Sequence, residues 1–168
     1  MTRRDLLRTA LAAPAAIHFP MPNGACDCHT HIFGPPDRFP FWSGRSYTPQ
    51  PALPAAMKAL HAGLGVQRVV IVTPSVYGTD NAATVWGIRE MGKGARGIAV
   101  IDDKTTDREL DSMGKAGVRG IRLNLATAGI TDPAQGRERF QRAAARMKSR
   151  GWHIQIYANL AVIAGIRE

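Results

Sequence analysis

Two histidines one residue apart, His29 and His31, are the residues in this sequence whose type and spacing best suit chemistry. They close the segment Ala25–His31, which is predicted to be a β-strand. Residues two apart in a strand face the same side, so both imidazoles should point the same way at the strand's end. Two imidazoles placed there can ligate a metal ion, or hold and protonate an anionic oxygen. A pair of hydrogen-bonded structural histidines is the alternative interpretation.

Hydroxyl, guanidinium and phenol groups lie at the ends of other predicted strands. Ser75 and Thr79 follow the second strand, Arg122 lies among apolar residues of the fourth, and Tyr157 ends the fifth. An arginine inside a barrel is costly unless an anion meets it, and a carboxylate suits its two-pronged guanidinium. If Arg122 faces outward instead, it is an ordinary ion-pair residue. Asp80 is predicted mainly to cap the next helix.

The elements that must position these side chains alternate between strands and helices. Short apolar runs predict five strands, at Ala25–His31, Arg68–Thr73, Gly97–Asp102, Val118–Asn124 and His153–Tyr157. Apolar residues at helical spacing predict helices between them, with stripes at Leu53-Met57-Leu60-Leu64, Val85-Ile88-Met91, Leu110-Met113 and Phe140 to Met147. This alternation indicates an α/β fold with a parallel sheet. A (β/α) TIM-type barrel needs eight units, so we predict an incomplete barrel or an open five-stranded sheet.

Composition fits one globular domain, because 45% of the 168 residues are hydrophobic and 21% are charged. The net charge is +9, with many arginines on the helix predicted around Phe140. No aromatic residues interleave with the basic ones, so we predict a solvated basic face and no nucleic-acid partner. Cys26 and Cys28 are predicted to be buried apolar thiols. The long Pro-rich segment Phe33–Pro51 is predicted to be a functional loop.

Residues 1–22 are predicted to be a leader that resembles a twin-arginine export signal. Arg3 and Arg4 precede a weakly apolar stretch, and the small residues at 13–15 suit cleavage. This pattern predicts a periplasmic protein whose domain covers residues 23–168. The stretch is short and contains Arg8, so no stable membrane anchor is expected. The alternative is an uncleaved N-terminal helix on a cytoplasmic protein.

Four motifs together resemble the amidohydrolase superfamily, in the branch of the pyrone dicarboxylate lactonases. The motifs are Asp27–Pro35, Tyr47–Pro49, Tyr77–Asn81 and Gly117–Arg122. The resemblance covers about Gly24 to Tyr157, and it implies a (β/α) TIM-type barrel that hydrolyses a lactone, or a related ester or amide bond, of a small carboxylated substrate. It further implies that the first-strand histidines polarise the scissile carbonyl. The residues that it implies for holding substrate carboxylates are Tyr47, Ser75, Thr79 and Arg122.

The resemblance leaves the cofactor open. Many superfamily members bind one or two divalent metal ions through the first-strand motif, so a zinc ion on His29 and His31 could be present, although the lactonase branch is thought to work without one. Relatives carry a further arginine after the Arg122 strand, where residues 126–130 here contain no cation. This difference favours a monocarboxylate or a different ring. Relatives also contribute a histidine from a sixth strand and an aspartate from an eighth, which typically activates the attacking water, and neither is found in these 168 residues.

Three hypotheses about function remain at this point. The chain could be the N-terminal portion of a lactonase-like hydrolase, a truncated non-catalytic remnant, or an open α/β module that binds a small carboxylate. An incomplete barrel would leave two sheet edges exposed, through which chains could associate.

Overall fold

A computed structural model describes residues 20–167 of the chain. In this part, five parallel strands form one sheet in the order β1-β2-β3-β4-β5. The strands are β1 (Cys26–Thr30), β2 (Arg68–Val72), β3 (Ala95–Ala99), β4 (Val118–Asn124) and β5 (His153–Tyr157). The helices are α1 (Pro54–Leu64), α2 (Ala82–Met91), α3 (Asp107–Ala116), α4 (Pro133–Lys148) and α5 (Leu160–Arg167). The sheet curls into a half-barrel with helices between its strands, which confirms the incomplete α/β barrel.

Local sequence chemistry sets where the helices begin and end. Pro54 and Pro133 occupy first-turn positions in α1 and α4, where a missing N–H costs nothing. Thr106 and Glu109 form a reciprocal capping box at the start of α3. Gly117 closes α3 in the left-handed region, with φ of 110°, which a side chain would strain. β4 begins at the next residue, so this helix end sets the position of the strand.

The core lies between the sheet and the helices. Ile71 of β2 and Ile121 of β4 are fully buried, and they belong to one cluster with Ile88, Leu110 and Met147. Burying each such side chain contributes about 1.5 to 3 kcal/mol. The stripes predicted for α2, α3 and α4 are therefore confirmed, since each supplies one of these core residues.

The stripe predicted for α1 is wrong. Leu60 and Leu64 are 60% and 51% exposed, whereas His61 is buried. His61 Nε2 lies 3.1 Å from Asp27 Oδ2 of β1, and this contact fixes the face of α1 that turns inward. Met57 still packs against the core.

The structure differs from two other predictions, the bounds of β3 and the burial of the cysteines in β1. β3 lies at Ala95–Ala99 rather than at the predicted Gly97–Asp102. It ends before Val100, whose N–H donates to the side-chain oxygen of Asn81. Cys26 is half-buried and Cys28 is exposed, so the prediction of two buried thiols is wrong. The reason is that β1 forms an edge of the described sheet and pairs with β2 alone.

The basic face of α4 is only partly solvated. Arg146 donates a hydrogen bond to the backbone oxygen of Asp102 at 3.1 Å. Arg150 forms ion pairs with Asp107 and Asp111 of α3. Arg146 therefore ties α4 to the loop before α3, and Arg150, two residues past the end of α4, ties the following turn to α3.

Between residues 20 and 167, no helix is both long enough and apolar enough to cross a membrane. The leader predicted for residues 1–22 falls almost entirely outside the described residues, so it stays a prediction.

Candidate active site

The two histidines lie together at the carboxyl end of β1. The ring centroids of His29 and His31 are 5.2 Å apart in an edge-to-face arrangement, on one side of the chain as their spacing predicts. Between Asp27 and Thr30, β1 holds one more residue than the facing segment of β2, which makes a bulge. Regular alternation of side chains along β1 would put Asp27 on the same side as the two imidazole rings. The Asp27 carboxylate instead contacts His61 of α1. Asp27 Oδ1 also accepts the His29 N–H at 3.2 Å, so Asp27 positions the first histidine.

Burial, reinforced by nearby positive charge, lowers the pKa values of both imidazoles and favours their neutral forms. His31 Nδ1 is 2.8 Å from Val72 O, and because a carbonyl only accepts, Nδ1 carries the hydrogen. Burial lowers the pKa of His31, with the Val72 hydrogen bond opposing and the His29 and Arg122 charges reinforcing the shift. Removal from water also lowers the pKa of His29, with Arg122 reinforcing and Asp27 opposing. Neutral His31 therefore presents Nε2 as a hydrogen-bond acceptor.

Arg122 of β4 is a half-buried cation. Its guanidinium carbon lies 5.0 Å from the centre of the Tyr157 ring. Burial lowers the pKa of Arg122, while the phenols of Tyr157 and Tyr47 raise it, and the guanidinium remains charged. No residue in 20–167 gives it a carboxylate or hydrogen-bond partner. Such a cation is costly unless a ligand anion meets it, so Arg122 is not an ordinary ion-pair residue.

A cavity of about 800 Å³ lies beside the carboxyl ends of the strands. Ser75, Thr79 and Arg122 line this cavity, so three predicted substrate-binding residues share one space. Tyr47 and Tyr157 are 46% and 50% exposed and do not line it. The Tyr157 ring nevertheless lies 5.0 Å from the guanidinium carbon of Arg122, and Tyr47 directly follows the lining residue Ser46.

The histidines are not part of the lining of this cavity. Neither His29 nor His31 is among the lining residues. They lie at the carboxyl end of β1 and Arg122 lies in the carboxyl half of β4, so all three belong to the same edge of the parallel sheet. The charge of Arg122 adds to the effect of burial in lowering both histidine pKa values.

The long loop between β1 and α1 forms a wall of the cavity, which supports its prediction as functional. Phe33 and Ala52 exchange backbone hydrogen bonds of 3.1 and 2.8 Å, which close the loop. The Phe41 ring packs 5.3 Å from Tyr77, and the backbone N–H of Trp42 donates to the segment after β2. Trp42 is thereby held in the cavity lining.

Asn81 joins the ends of β2 and β3, a role that the sequence analysis missed. Its Nδ2 donates to the backbone oxygens of Thr79 and Val100 at 3.0 and 2.9 Å. Its Oδ1 accepts from Val100 N at 2.9 Å and from Thr73 Oγ1 at 2.8 Å. Asp80, as predicted, caps α2 by accepting its first N–H. Asn81 therefore fixes the segment that carries Ser75 and Thr79.

Other lining residues were also unassigned by the sequence analysis. Arg45, Asn124 and Arg139 all line the cavity. Asn124 could have been found, because it lies two residues after Arg122 in the same strand. Within residues 20–167, Asn124 Oδ1 and Gln155 Oε1 are buried without a hydrogen-bond partner. Of the two residues, Asn124 lines the cavity, so a donor group of a ligand there can satisfy its oxygen.

The donors in the described residues do not amount to a complete metal centre. His29 and the bare Nε2 of His31 could supply two ligands, whereas a catalytic zinc site uses three protein ligands. Residues 20–167 hold no group of three His, Cys, Asp or Glu side chains that could bind a metal ion. The expectation of zinc therefore lacks a third ligand among these residues.

Known proteins are similar to this chain in sequence and in fold. The amidohydrolase family model matches residues 26–166. The 2-pyrone-4,6-dicarboxylate hydrolase of Comamonas testosteroni is 38% identical over 146 residues, which are 87% of this chain and 47% of that protein. The 4-sulfomuconolactone hydrolase of Rhizobium radiobacter is 38% identical over 112 residues, which are 67% of this chain and 38% of that protein.

A solved structure gives the same result. A probable 2-pyrone-4,6-dicarboxylic acid hydrolase from Acinetobacter baumannii, with citric acid bound, matches with a TM-score of 0.72 and 26% identity, over 83% of this chain and 51% of that one. The chain spans about half or less of the length of these relatives. Because the family model matches most of the sequence and the half-barrel matches a solved relative, this chain belongs to the amidohydrolase family.

Proposed function

We propose that this protein is a lactonase-like hydrolase that opens the ring of a small carboxylated lactone. The observation that carries the proposal is the half-buried cation Arg122, which has no partner in residues 20–167 and lies in a cavity beside two neutral imidazoles. Two curated relatives whose names specify lactone or pyrone hydrolysis support the reaction class.

The substrate is held mainly by its carboxylate. Arg122 takes this group through two parallel N–H···O bonds, the geometry that its guanidinium favours. The hydroxyls of Ser75 and Thr79 line the same cavity and donate to the ligand's oxygens. Tyr47 and Tyr157 flank the arginine and keep the ion pair partly away from water.

The two histidines take different parts in the reaction. Neutral His31 cannot donate from Nε2, because its hydrogen is on Nδ1 and bonds to Val72 O. His29 has no such constraint, so its ring N–H polarises the lactone carbonyl, while His31 Nε2 orients the attacking water by accepting a hydrogen bond. Water adds to the carbonyl carbon, the ring C–O bond breaks, and one proton of the water passes to the released ring oxygen. The new carboxyl group gives its remaining proton to the solvent and becomes a carboxylate.

The test is turnover and binding of 2-pyrone-4,6-dicarboxylate in the same samples. Loss of the pyrone absorbance reports ring opening, and calorimetry reports binding. We expect turnover in the full-length wild type, none in His29→Ala or His31→Ala, and wild-type rates in the control His153→Ala, whose histidine lies at the amino end of β5. Binding without turnover would favour the carboxylate-binding module, and the absence of both would contradict the proposal.

A further inference from the structure

A buried histidine on α1 has no role in the chemistry proposed above. His61 is buried, whereas Leu60 and Leu64 of the same helix are exposed. A helix that served only to pack on the sheet would bury its leucines, because a buried polar side chain costs free energy unless it is hydrogen-bonded. The His61 side chain meets that condition through Asp27 of β1. The inward position of His61 therefore depends on this contact rather than on apolar packing.

The two carboxylate oxygens of Asp27 connect His61 to the first histidine of the site. Asp27 Oδ2 lies 3.1 Å from His61 Nε2, and because a carboxylate only accepts, this nitrogen carries the hydrogen. Asp27 Oδ1 accepts the backbone N–H of His29 at 3.2 Å. Two consecutive hydrogen bonds therefore lead from α1 to the backbone of His29. They can set where the His29 ring lies, although His61 does not touch that ring.

These hydrogen bonds lie at the bulge of β1. Between Asp27 and Thr30, three steps along β1 face two steps along β2. If β1 were regular here, Asp27 would share one face with the two imidazoles and would turn away from α1. The bond from the His29 N–H lies inside the bulge, and His61 holds its acceptor from the side of the helix. The contact with His61 therefore favours the bulged form of β1 over the regular one.

Backbone contacts at the end of α1 hold His61 in place. Its backbone oxygen accepts the Val66 N–H at 2.9 Å, just past Gly65, which ends the helix in the left-handed region with φ of 72°. The Arg68 N–H donates to Ala25 O at 3.0 Å, next to the start of β1. Because these contacts use only the backbone, a substitution at His61 removes the link to Asp27 without releasing the helix from the strand.

We propose that His61 is a positioning residue for His29, and that it acts through Asp27 by holding the bulge that sets the His29 ring against the substrate carbonyl. The inference rests on the proposed lactone site, because it concerns the histidine that polarises the carbonyl there. His61 is not among the residues that line the cavity, so its loss should leave the carboxylate contact of Arg122 intact. Turnover and substrate binding should therefore respond differently to a substitution at His61.

Two measurements on the full-length protein test this inference: steady-state kinetics with 2-pyrone-4,6-dicarboxylate, and hydrogen exchange of the His29 amide by NMR. We expect His61→Leu to lower kcat about ten- to hundredfold at a nearly unchanged KM, because the ring is misplaced while the carboxylate contact remains. Exchange of the His29 amide should become about fivefold faster, the effect of losing about one hydrogen bond. His61→Gln should keep kcat within about threefold of the wild type, because its side-chain amide donates from about the same distance as Nε2. Met57→Ala is the matched control, because it removes core packing from the same helix without touching Asp27, and it should change neither kcat nor the exchange rate.

Each contrary outcome has a separate meaning. Wild-type kcat and unchanged exchange in His61→Leu would overturn the role of His61 and leave the lactone site standing. Equal losses of kcat in His61→Leu, His61→Gln and Met57→Ala would show only general destabilisation, and would also overturn it. If His61→Leu does not fold, His61→Met replaces it, because its flexible side chain fills the same space without a donor. If the full-length wild type has no turnover, the lactone proposal fails and the His29 amide decides alone: faster exchange in His61→Leu than in Met57→Ala supports the positioning role, and equal exchange overturns it.

Discussion

Replacing Asn81 with alanine should destabilise the protein far more than its partly exposed position suggests. The side chain makes four hydrogen bonds, to Thr73, to Thr79 and, through two of them, to Val100. Alanine removes all four and leaves the buried Thr73 hydroxyl with Thr84 as its remaining partner. The ends of β2 and β3 then lose the side chain that joins them.

The magnitude follows from those contacts. A neutral hydrogen bond contributes about 1 kcal/mol net, so four give an upper value of about 4 kcal/mol. Water can reach part of this half-buried site, so we expect a loss of about 2 to 4 kcal/mol. Domains of this size are stable by about 5 to 15 kcal/mol, so the variant should lose a large fraction of its stability.

Urea unfolding followed by circular dichroism measures this loss. The matched control is Asn159→Ala, the same substitution at a helix cap where the side chain accepts one hydrogen bond, from Val162 N. We expect about 1 kcal/mol from the control, and a two- to fourfold larger loss, about 2 to 4 kcal/mol, from Asn81→Ala at the same m-value. Equal losses in the two variants would refute the reasoning, because they would show that the network adds nothing beyond one cap.

Further predictions concern protonation, the β1 bulge and the leader. Folding lowers the pKa of His31, so as pH falls the unfolded chain takes up a proton first, near the ordinary histidine pKa of about 6.5. The free energy of unfolding should therefore fall as pH is lowered from about 7 to 5. His31→Asn should flatten this slope in urea titrations, and an equally steep slope in the variant would contradict the prediction. Acetate binding at Arg122 should raise the His31 pKa measured by NMR, because it neutralises a charge that lowers that pKa, whereas Arg122→Gln should abolish the response. Asp27→Ala should cost about 1 to 3 kcal/mol in urea unfolding, because buried His61 loses its partner, and a loss within error would mean that the contact is unimportant. If the leader directs export, mass spectrometry of periplasmic material should find a mature N-terminus near residues 13–15; an intact Met1 on cytoplasmic material would exclude export.

The order of the elements could be predicted because it depends on local patterns. β4 and β5 have the predicted bounds, since apolar runs after Gly117 and Gly151 mark them clearly. The inward face of α1 could not be predicted, because it depends on the contact between Asp27 and His61, which are 34 positions apart. Apolar spacing alone instead indicated Leu60, which is exposed.

In the candidate site, too, the features that depend on local spacing could be predicted, and those that depend on contacts between distant residues could not. The spacing of His29 and His31 fixes their common side, because only a few bonds separate them. Asn81 could not be assigned, because its role depends on where β3 lies relative to β2. Asn81 reaches Val100, 19 positions away, across the ends of two strands.

Arg122 links the two halves of the candidate site. In the proposed reaction its charge attracts the substrate's carboxylate, and the same charge reinforces the effect of burial in lowering the pKa values of His29 and His31. Burial and this charge together favour the neutral imidazoles, so that His31 Nε2 can accept a hydrogen bond from water. We propose that a carboxylate bound at Arg122 cancels the contribution of that charge and raises both histidine pKa values. On this proposal, substrate binding on β4 is coupled to proton affinity on β1, at the stage when the breaking ring C–O bond releases an oxygen that needs a proton.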